Sequence, residues 1–231
     1  MADQSLPLST ARIVGLILAG GQGARMGHQD KGLVLLNGEP MVAHVARRLA
    51  PQVGRLIISA NRHAEHYAQY GTVVADGAPA LGDFQGPLVG LAAGLTAALT
   101  ATSASATAST AASAAPSTAD DDWLIAVPCD TPFLPRDLAA RLIAAAGSAQ
   151  APLAYAMAGG QRHAACMALR PSLLPDLCAY LQAGDRKVGV WQARVGGVAA
   201  CFDDAPDAFM NVNTPEELAV AERYTSQCRM S

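Results

Sequence analysis

Apolar residues come in short unbroken runs along the first part of the chain, each closed by a turn and followed by helix-like spacing. The runs are 12–18 (RIVGLIL), 55–60 (RLIISA), 72–75 (TVVA) and 123–127 (WLIAV). A β-branched and apolar run that ends in glycine suits a parallel strand covered on both faces. Between the runs, the spacing predicts helices over 40–49, 62–70, 87–99 and 135–146, three of which open on proline, a residue tolerated at the first helical position. Alternating strands and helices predict a mostly parallel sheet with helices on both faces, an α/β three-layer sandwich.

The last third changes rhythm. Residues 153–157 (LAYAM) and 164–169 (AACMAL) read as strands around Gly159 and Gly160, and 196–202 (GGVAACF) reads as another, so an antiparallel excursion is expected there. Residues 213–218 (NTPEEL) carry a capping box: Thr214 at the N-cap, Pro215 in the first turn and Glu217 reaching back. A terminal helix starts at that point, with Asn211 and Asn213 at its entrance.

Composition narrows the class. The chain has 231 residues, 51% hydrophobic, and is expected to form a single domain, 1–231. Sixteen basic against nineteen acidic residues leave a net charge of -3, too little positive charge to favour nucleic acid or an anionic membrane. Five cysteines, widely spaced and without a CxxC pair, suggest neither a disulfide framework nor a zinc site, and fit a reducing cytosol. The N-terminal apolar run is short and lacks a basic flank, so no export signal is expected and the location reads as cytoplasmic. Residues 100–119 are Ala, Ser and Thr apart from Pro116, a low-complexity insertion expected to form a mobile loop or a frayed helical extension.

The first strand runs into a glycine-rich loop, 18–32 (LAGGQGARMGHQDKG). The dinucleotide fingerprint fits Gly21 and Gly23 but meets Met26 where its third glycine belongs, and the Walker A pattern fails because Gly32 follows Lys31. The chemistry survives both mismatches. Glycines let backbone N–H groups close around phosphate oxygens, and Arg25 and Lys31 bring positive charge to the strand's C-terminal end, where open α/β sheets bind ligands. Lys31 is one of two lysines in the chain, which speaks against its being surface filler. A plain glycine turn is the competing reading of such a cluster taken alone.

A second chemical feature is Asp130, at the end of the 123–127 run and fenced by Pro128 and Pro132. A hard carboxylate at a strand end is what Mg²⁺ chemistry on phosphates requires; a helix cap or turn residue is the bland alternative. Asp76 closes another strand on the same expected edge, where it would meet a ribose, a base or a metal-bound water. Cys129 reads as a small buried neighbour, and His63 and His163 receive no ligand role.

Together, the loop at 18–32, PCDTP at 128–132 and NVNTPEEL at 211–218 resemble the molybdenum cofactor guanylyltransferases, as do ANRH at 60–63, GPL at 86–88, DLAARL at 137–142 and YLQAGDRKV at 180–188. The resemblance runs from about Ile13 to Leu218. It implies a Rossmann-like nucleotidyltransferase fold, Mg²⁺, and transfer of GMP from GTP to the terminal phosphate of molybdopterin or Mo-molybdopterin, with pyrophosphate leaving. Carried over by position, Leu18, Ala19, Gly20, Gly21 and Gly23 would line the nucleotide side. Arg25 and Lys31 would meet phosphates, Asp76 and Ser59 would contact the nucleotide, Asp130 would hold Mg²⁺ and nucleotide, and Asn211 with Asn213 would face the molybdopterin side or complete the metal's surroundings. Two departures stand out. Ser59 replaces an asparagine expected in the family, so a contact there would come from the shorter hydroxyl, and the 76–86 loop is longer than the family pattern. The family further implies contacts with molybdopterin synthesis proteins and recipient molybdoenzymes; a monomer is expected.

The same loop, lysine and strand-end aspartate would also serve a cytidylyltransferase of the same pathway or a sugar-phosphate nucleotidyltransferase. Gly20-Gly21 after Ala19 favours a purine guest. A non-catalytic nucleotide-binding adaptor would need the glycine loop but not Lys31 together with Asp130, and both are present.

Overall fold

The computed structural model describes residues 10–20, 30–75, 86–108 and 122–228, with backbone only for 101–108 and 226–228. Its strands are β1 (Ile13–Leu18), β2 (Leu35–Leu36), β3 (Glu39–Pro40), β4 (Arg55–Ser59), β5 (Thr72–Val74), β6 (Trp123–Pro128), β7 (Leu153–Ala158), β8 (Gln161–Leu169) and β9 (Val198–Cys201). Its α-helices are α1 (Met41–Leu49), α2 (Ala64–Tyr67), α3 (Pro87–Ala108), α4 (Leu138–Ser148), α5 (Leu174–Gln182), α6 (Val188–Arg194) and α7 (Pro215–Cys228).

Seven strands form one sheet in the order β5-β4-β1-β6-β8-β7-β9, and β2 pairs with β3 in a separate hairpin. β1 is parallel to both β4 and β6, and β4 is parallel to β5. β8 runs antiparallel to β6 and to β7, while β9 is parallel to β7. The reversal expected in the last third is therefore carried by β8 alone; the strand at 198–201 returns to the common direction. Gly159 and Gly160, at φ 54° and 73°, close the β7–β8 hairpin in the left-handed region that glycine enters without strain.

Both faces of the central strands are buried, which is why their sequences read as continuous apolar runs. Along β6, Trp123, Ile125 and Val127 pack in one layer with α1 and α4 residues such as Val45, Leu49, Leu138 and Leu142. Leu124 and Ala126 face the other way, into a layer built with Leu91 and Leu95 of α3, Leu177 and Leu181 of α5, and Trp191 of α6. A third cluster joins Leu36, Met41, Phe133, Val212 and Ala221, with the Phe133 and Tyr224 rings 4.8 Å apart. That cluster seats α7 and the 211–213 segment beside the loop that follows β6.

Helix α3 continues beyond its expected end at 99, through the first part of the Ala/Ser/Thr tract to Ala108; 109–119 lies outside the described residues. Helix α2 is shorter than the expected 62–70: Arg62 and His63 stay outside it, with His63 at φ 53°, and it ends at Tyr67. The β2–β3 hairpin, α5 and α6 were not expected; for the hairpin, Asn37-Gly38 is the turn signal that announces it.

Candidate active site

The site assembles at the C-terminal ends of β1, β4, β5 and β6. In register, Leu18 stands between Ser59 and Pro128, and Ser59 stands beside Val74. Ladder bonds carry the edge outward: Ala19 N–H donates to the Ser59 carbonyl at 2.8 Å, Ala60 N–H to Val74 at 2.9 Å, and Cys129 N–H to Leu18 at 3.1 Å. Leu18 and Ala19 are buried, and Gly20 is exposed where the loop leaves the sheet. Ser59 is fully buried, so its hydroxyl lies behind the edge and not on the open surface. Gly21, Gly23, Arg25 and Asp76 fall outside the described residues.

Lys31 joins the separate motifs. Its Nζ lies 3.4 Å from Asp130 Oδ2 and donates to Asn213 Oδ1, so three expected site residues from three distant segments meet at one ammonium. The Asp130 side chain keeps 14% of its surface exposed and that of Lys31 keeps 25%. Burial raises the Asp130 pKa above the ordinary carboxylate value, and the Lys31 charge opposes that rise without cancelling it. A poorly solvated carboxylate of this kind gains from a cation brought by substrate.

The asparagine segment is held from both sides. Val212 N–H donates to the Asp130 carbonyl at 2.9 Å, and Thr131 Oγ1 donates to Asn211 Oδ1 at 3.2 Å. The capping box forms as expected: Glu217 Oε2 accepts from Asn213 N–H at 2.6 Å and Thr214 N–H at 3.1 Å, while Thr214 Oγ1 accepts from Glu217 N–H at 3.2 Å. Asn211 and Asn213 line a cleft of about 760 Å³ shared with Arg162, His163 and Phe209. The His163 ring stacks on Phe209 at 4.7 Å, and burial lowers its pKa. Sequence reasoning gives His163 no ligand role and Arg162 no role at all, because nothing local shows that β8 faces Asn211.

Asp30 and Tyr67 were also missed. Asp30 is buried; its Oδ1 accepts from Gly32 N–H at 3.2 Å and from the Tyr67 hydroxyl. The signal was an aspartate two residues before the N–H of a Lys-Gly turn. Cys129 is buried beside the site, and burial pushes its thiol well above the usual range, so it stays protonated.

A Mg²⁺ ion fits this donor set. Asp130 offers a hard oxygen with Asn side-chain carbonyls close by, and one or two carboxylates supplemented by substrate phosphates and waters are what that ion commonly takes. Among the described residues, the one trio of His, Cys, Asp or Glu side chains close enough to share an ion is His63, Glu65 and His66, all exposed on or beside α2. None of the described helices is long and apolar enough to cross a membrane.

A lysine facing a strand-end carboxylate across the C-terminal edge of a mostly parallel α/β sheet defines the class: a Rossmann-type nucleotidyltransferase. The description "MobA-like NTP transferase domain" matches residues 15–195. A molybdenum cofactor guanylyltransferase of Shewanella sp. strain MR-4 is 43% identical over 207 residues, covering 89% of this chain and 93% of that protein. One from Shewanella amazonensis is 40% identical over 220 residues, covering 94% and 98%. The chain belongs to the molybdenum cofactor guanylyltransferase family and is a nucleotidyltransferase enzyme. The fold is shared with molybdopterin-guanine dinucleotide biosynthesis protein A from Archaeoglobus fulgidus, at a TM-score of 0.70 and 20% identity over 93% of this chain and 99% of that one. It is also shared with Rv0371c from Mycobacterium tuberculosis, at 0.62 and 15% over 93% and 100%.

Proposed function

We propose that this enzyme transfers GMP from GTP to the terminal phosphate of molybdopterin, releasing pyrophosphate and forming the guanine dinucleotide of the cofactor. The carrying observation is Lys31, which joins the strand-end Asp130 to Asn213 in a chain of this family. An acceptor phosphate oxygen attacks the α-phosphorus of GTP, the bond from that phosphorus to the bridging oxygen of the β-phosphate breaks, and the electron pair leaves with pyrophosphate. Anions must approach anions, so positioning and neutralisation supply the rate, and no protein nucleophile is needed.

Each residue then has a role. Lys31 neutralises phosphate oxygens; when GTP enters, its ammonium exchanges the Asn213 contact for phosphate. Arg25 adds charge from the glycine loop. Leu18, Ala19, Gly20, Gly21 and Gly23 shape the nucleotide side, with Ser59 at the end of β4 and Asp76 as a further nucleotide contact. Asp130 would hold Mg²⁺ with help from Asn211 or Asn213, and the bound ion would draw charge from the triphosphate. Molybdopterin enters by the cleft beside Asn211 and Asn213, where Arg162 offers charge for its phosphate and His163 a ring face for its pterin.

The test is pyrophosphate release with GTP, CTP, ATP and UTP, each with and without molybdopterin and Mg²⁺. Release with GTP that depends on molybdopterin is expected. Preference for CTP would move the enzyme to the cytidylyl reaction, and no release with any nucleotide would leave a binding adaptor.

A further inference from the structure

Lys31 is aimed by groups that do not themselves reach substrate. It opens a short 3-10 helix, Lys31–Leu33, whose N-cap is Asp30 at φ -70°, ψ 112°. The Asp30 carboxylate accepts from Gly32 N–H at 3.2 Å, which closes the turn around Lys31. On the same oxygen, Oδ1, it accepts the Tyr67 hydroxyl from α2, 37 residues along the chain. Tyr67 is fully buried and Asp30 nearly so, so little water competes for this hydrogen bond.

The ring matters as well as the hydroxyl. A Cβ placed on Gly32 would come within 2.5 Å of Tyr67 Oη and 3.1 Å of its ring, so the tyrosine lies directly under the turn, and glycine is what lets the two meet. The turn is thereby fixed from beneath by the ring and from the side by Asp30. Its outward face carries Lys31, which points to Asp130 and Asn213. Burial and the neighbouring Asp30 raise the Tyr67 pKa, so the phenol remains a hydrogen-bond donor wherever the enzyme works.

We propose that Tyr67 is a positioning residue for nucleotidyl transfer: through its hydrogen bond to Asp30 it fixes the Lys31 turn and sets the ammonium in line with Asp130. This rests on the guanylyl-transfer reading above. A core tyrosine that only fills space would depend on its ring; a positioning tyrosine depends on its hydroxyl.

Tyr67→Phe separates the two, because it keeps the ring under Gly32 and removes only the hydroxyl. With GTP and molybdopterin, kcat is expected to fall roughly 10-fold to 100-fold, the scale of a misplaced catalytic group, while KM for molybdopterin stays near the wild-type value. In a double-mutant cycle, Tyr67→Phe added to Lys31→Ala should cost nothing further, since the tyrosine acts through the lysine. Asp30→Asn, which keeps an oxygen acceptor at the same place, should retain much more activity than Asp30→Ala. If Tyr67→Phe proves insoluble, the same cycle run with Asp30→Ala gives the answer. Wild-type kcat in Tyr67→Phe, or losses that multiply independently with Lys31→Ala, would overturn the positioning role while leaving the transfer reaction intact. Absence of GTP-dependent transfer in the unmutated enzyme would instead remove the reading on which the proposal stands.

Discussion

Lys31 Nζ and Asp130 Oδ2 lie 3.4 Å apart, although 99 residues separate them, and the pair stands at the carboxyl edge of the sheet where β1 and β6 run side by side. Neither charge is fully solvated. In the proposed reaction the pair would bring one cation and one cation-seeking carboxylate to the same triphosphate.

Asp130→Asn is expected to abolish transfer without harming the fold. Burial holds the folded-state pKa of Asp130 above its ordinary value, so the folded chain binds that proton more tightly than the unfolded chain does. Ionisation therefore costs stability as the pH rises above the ordinary carboxylate range of about 4 and through the raised value. The neutral asparagine escapes that cost. Thermal denaturation near neutral pH should give a Tm equal to or above wild type, with the difference shrinking as the pH falls, while pyrophosphate release drops to background. A lowered Tm near neutral pH would mean that the Lys31 attraction outweighs burial.

The same carboxyl sets an acid limb on activity. In the proposed role Asp130 must be ionised, and its raised pKa in the metal-free site moves the loss of kcat/KM to a pH above the ordinary carboxylate range. A pH–rate profile of the unmutated enzyme at limiting Mg²⁺ checks this, because a saturating ion would compete with the proton and pull the limb lower. An acid limb at or below about pH 4, the value for a solvated carboxylate, would contradict it.

Lys31→Ala should weaken GTP binding and slow transfer together, lowering kcat/KM by about 100-fold or more, as expected when one charge-stabilising donor is removed. Lys31→Arg should restore little, because the bulkier planar guanidinium does not fit the point between Asp130 and Asn213. Steady-state kinetics with GTP varied gives both values, and near-wild-type kcat/KM in Lys31→Ala would sink the phosphate role.

The strand-end framework was legible because β1, β4 and β6 bury both faces and so write themselves as unbroken apolar runs ending in turns, while β5, half-buried at the sheet edge, keeps the same short apolar run. Asp130 was legible because it closes such a run, and the α7 entrance because Thr214, Pro215 and Glu217 act within four residues. What stayed hidden depends on contacts across the chain. Asn213 reaches Lys31 over 182 positions and Tyr67 reaches Asp30 over 37, and no local pattern records either pairing. The course of β9 was hidden for the same reason: its alternation suits an edge strand in either direction, and its parallel seat beside β7 follows from the path through α5 and α6.

The α7 cap links stability to the acceptor side. Thr214→Ala removes the side-chain oxygen that accepts from Glu217 N–H and should cost about 1 kcal/mol, read as a lower denaturation midpoint. Glu217→Ala frees both Asn213 N–H and Thr214 N–H, so beyond a similar loss of stability it should raise KM for molybdopterin more than KM for GTP. Equal changes in the two KM values would separate the cap from the acceptor cleft.

The Ala/Ser/Thr tract at 100–119 supplies a final test. Up to Thr100, the apolar side chains of α3 that are buried are Leu88, Val89, Leu91, Ala92, Leu95 and Ala98, and Leu99 and Thr100 are exposed. These side chains pack the helix on the sheet, and the Ala, Ser and Thr that follow offer little apolar surface with which to add to that packing. Replacing 101–119 with a short Gly-Ser linker should leave GMP transfer within about twofold of wild type, with a stability change on the order of 0.5 kcal/mol, the range of surface substitutions. A collapse of activity at unchanged stability would show that the tract covers the active site, and would move it from insertion to working part of the enzyme.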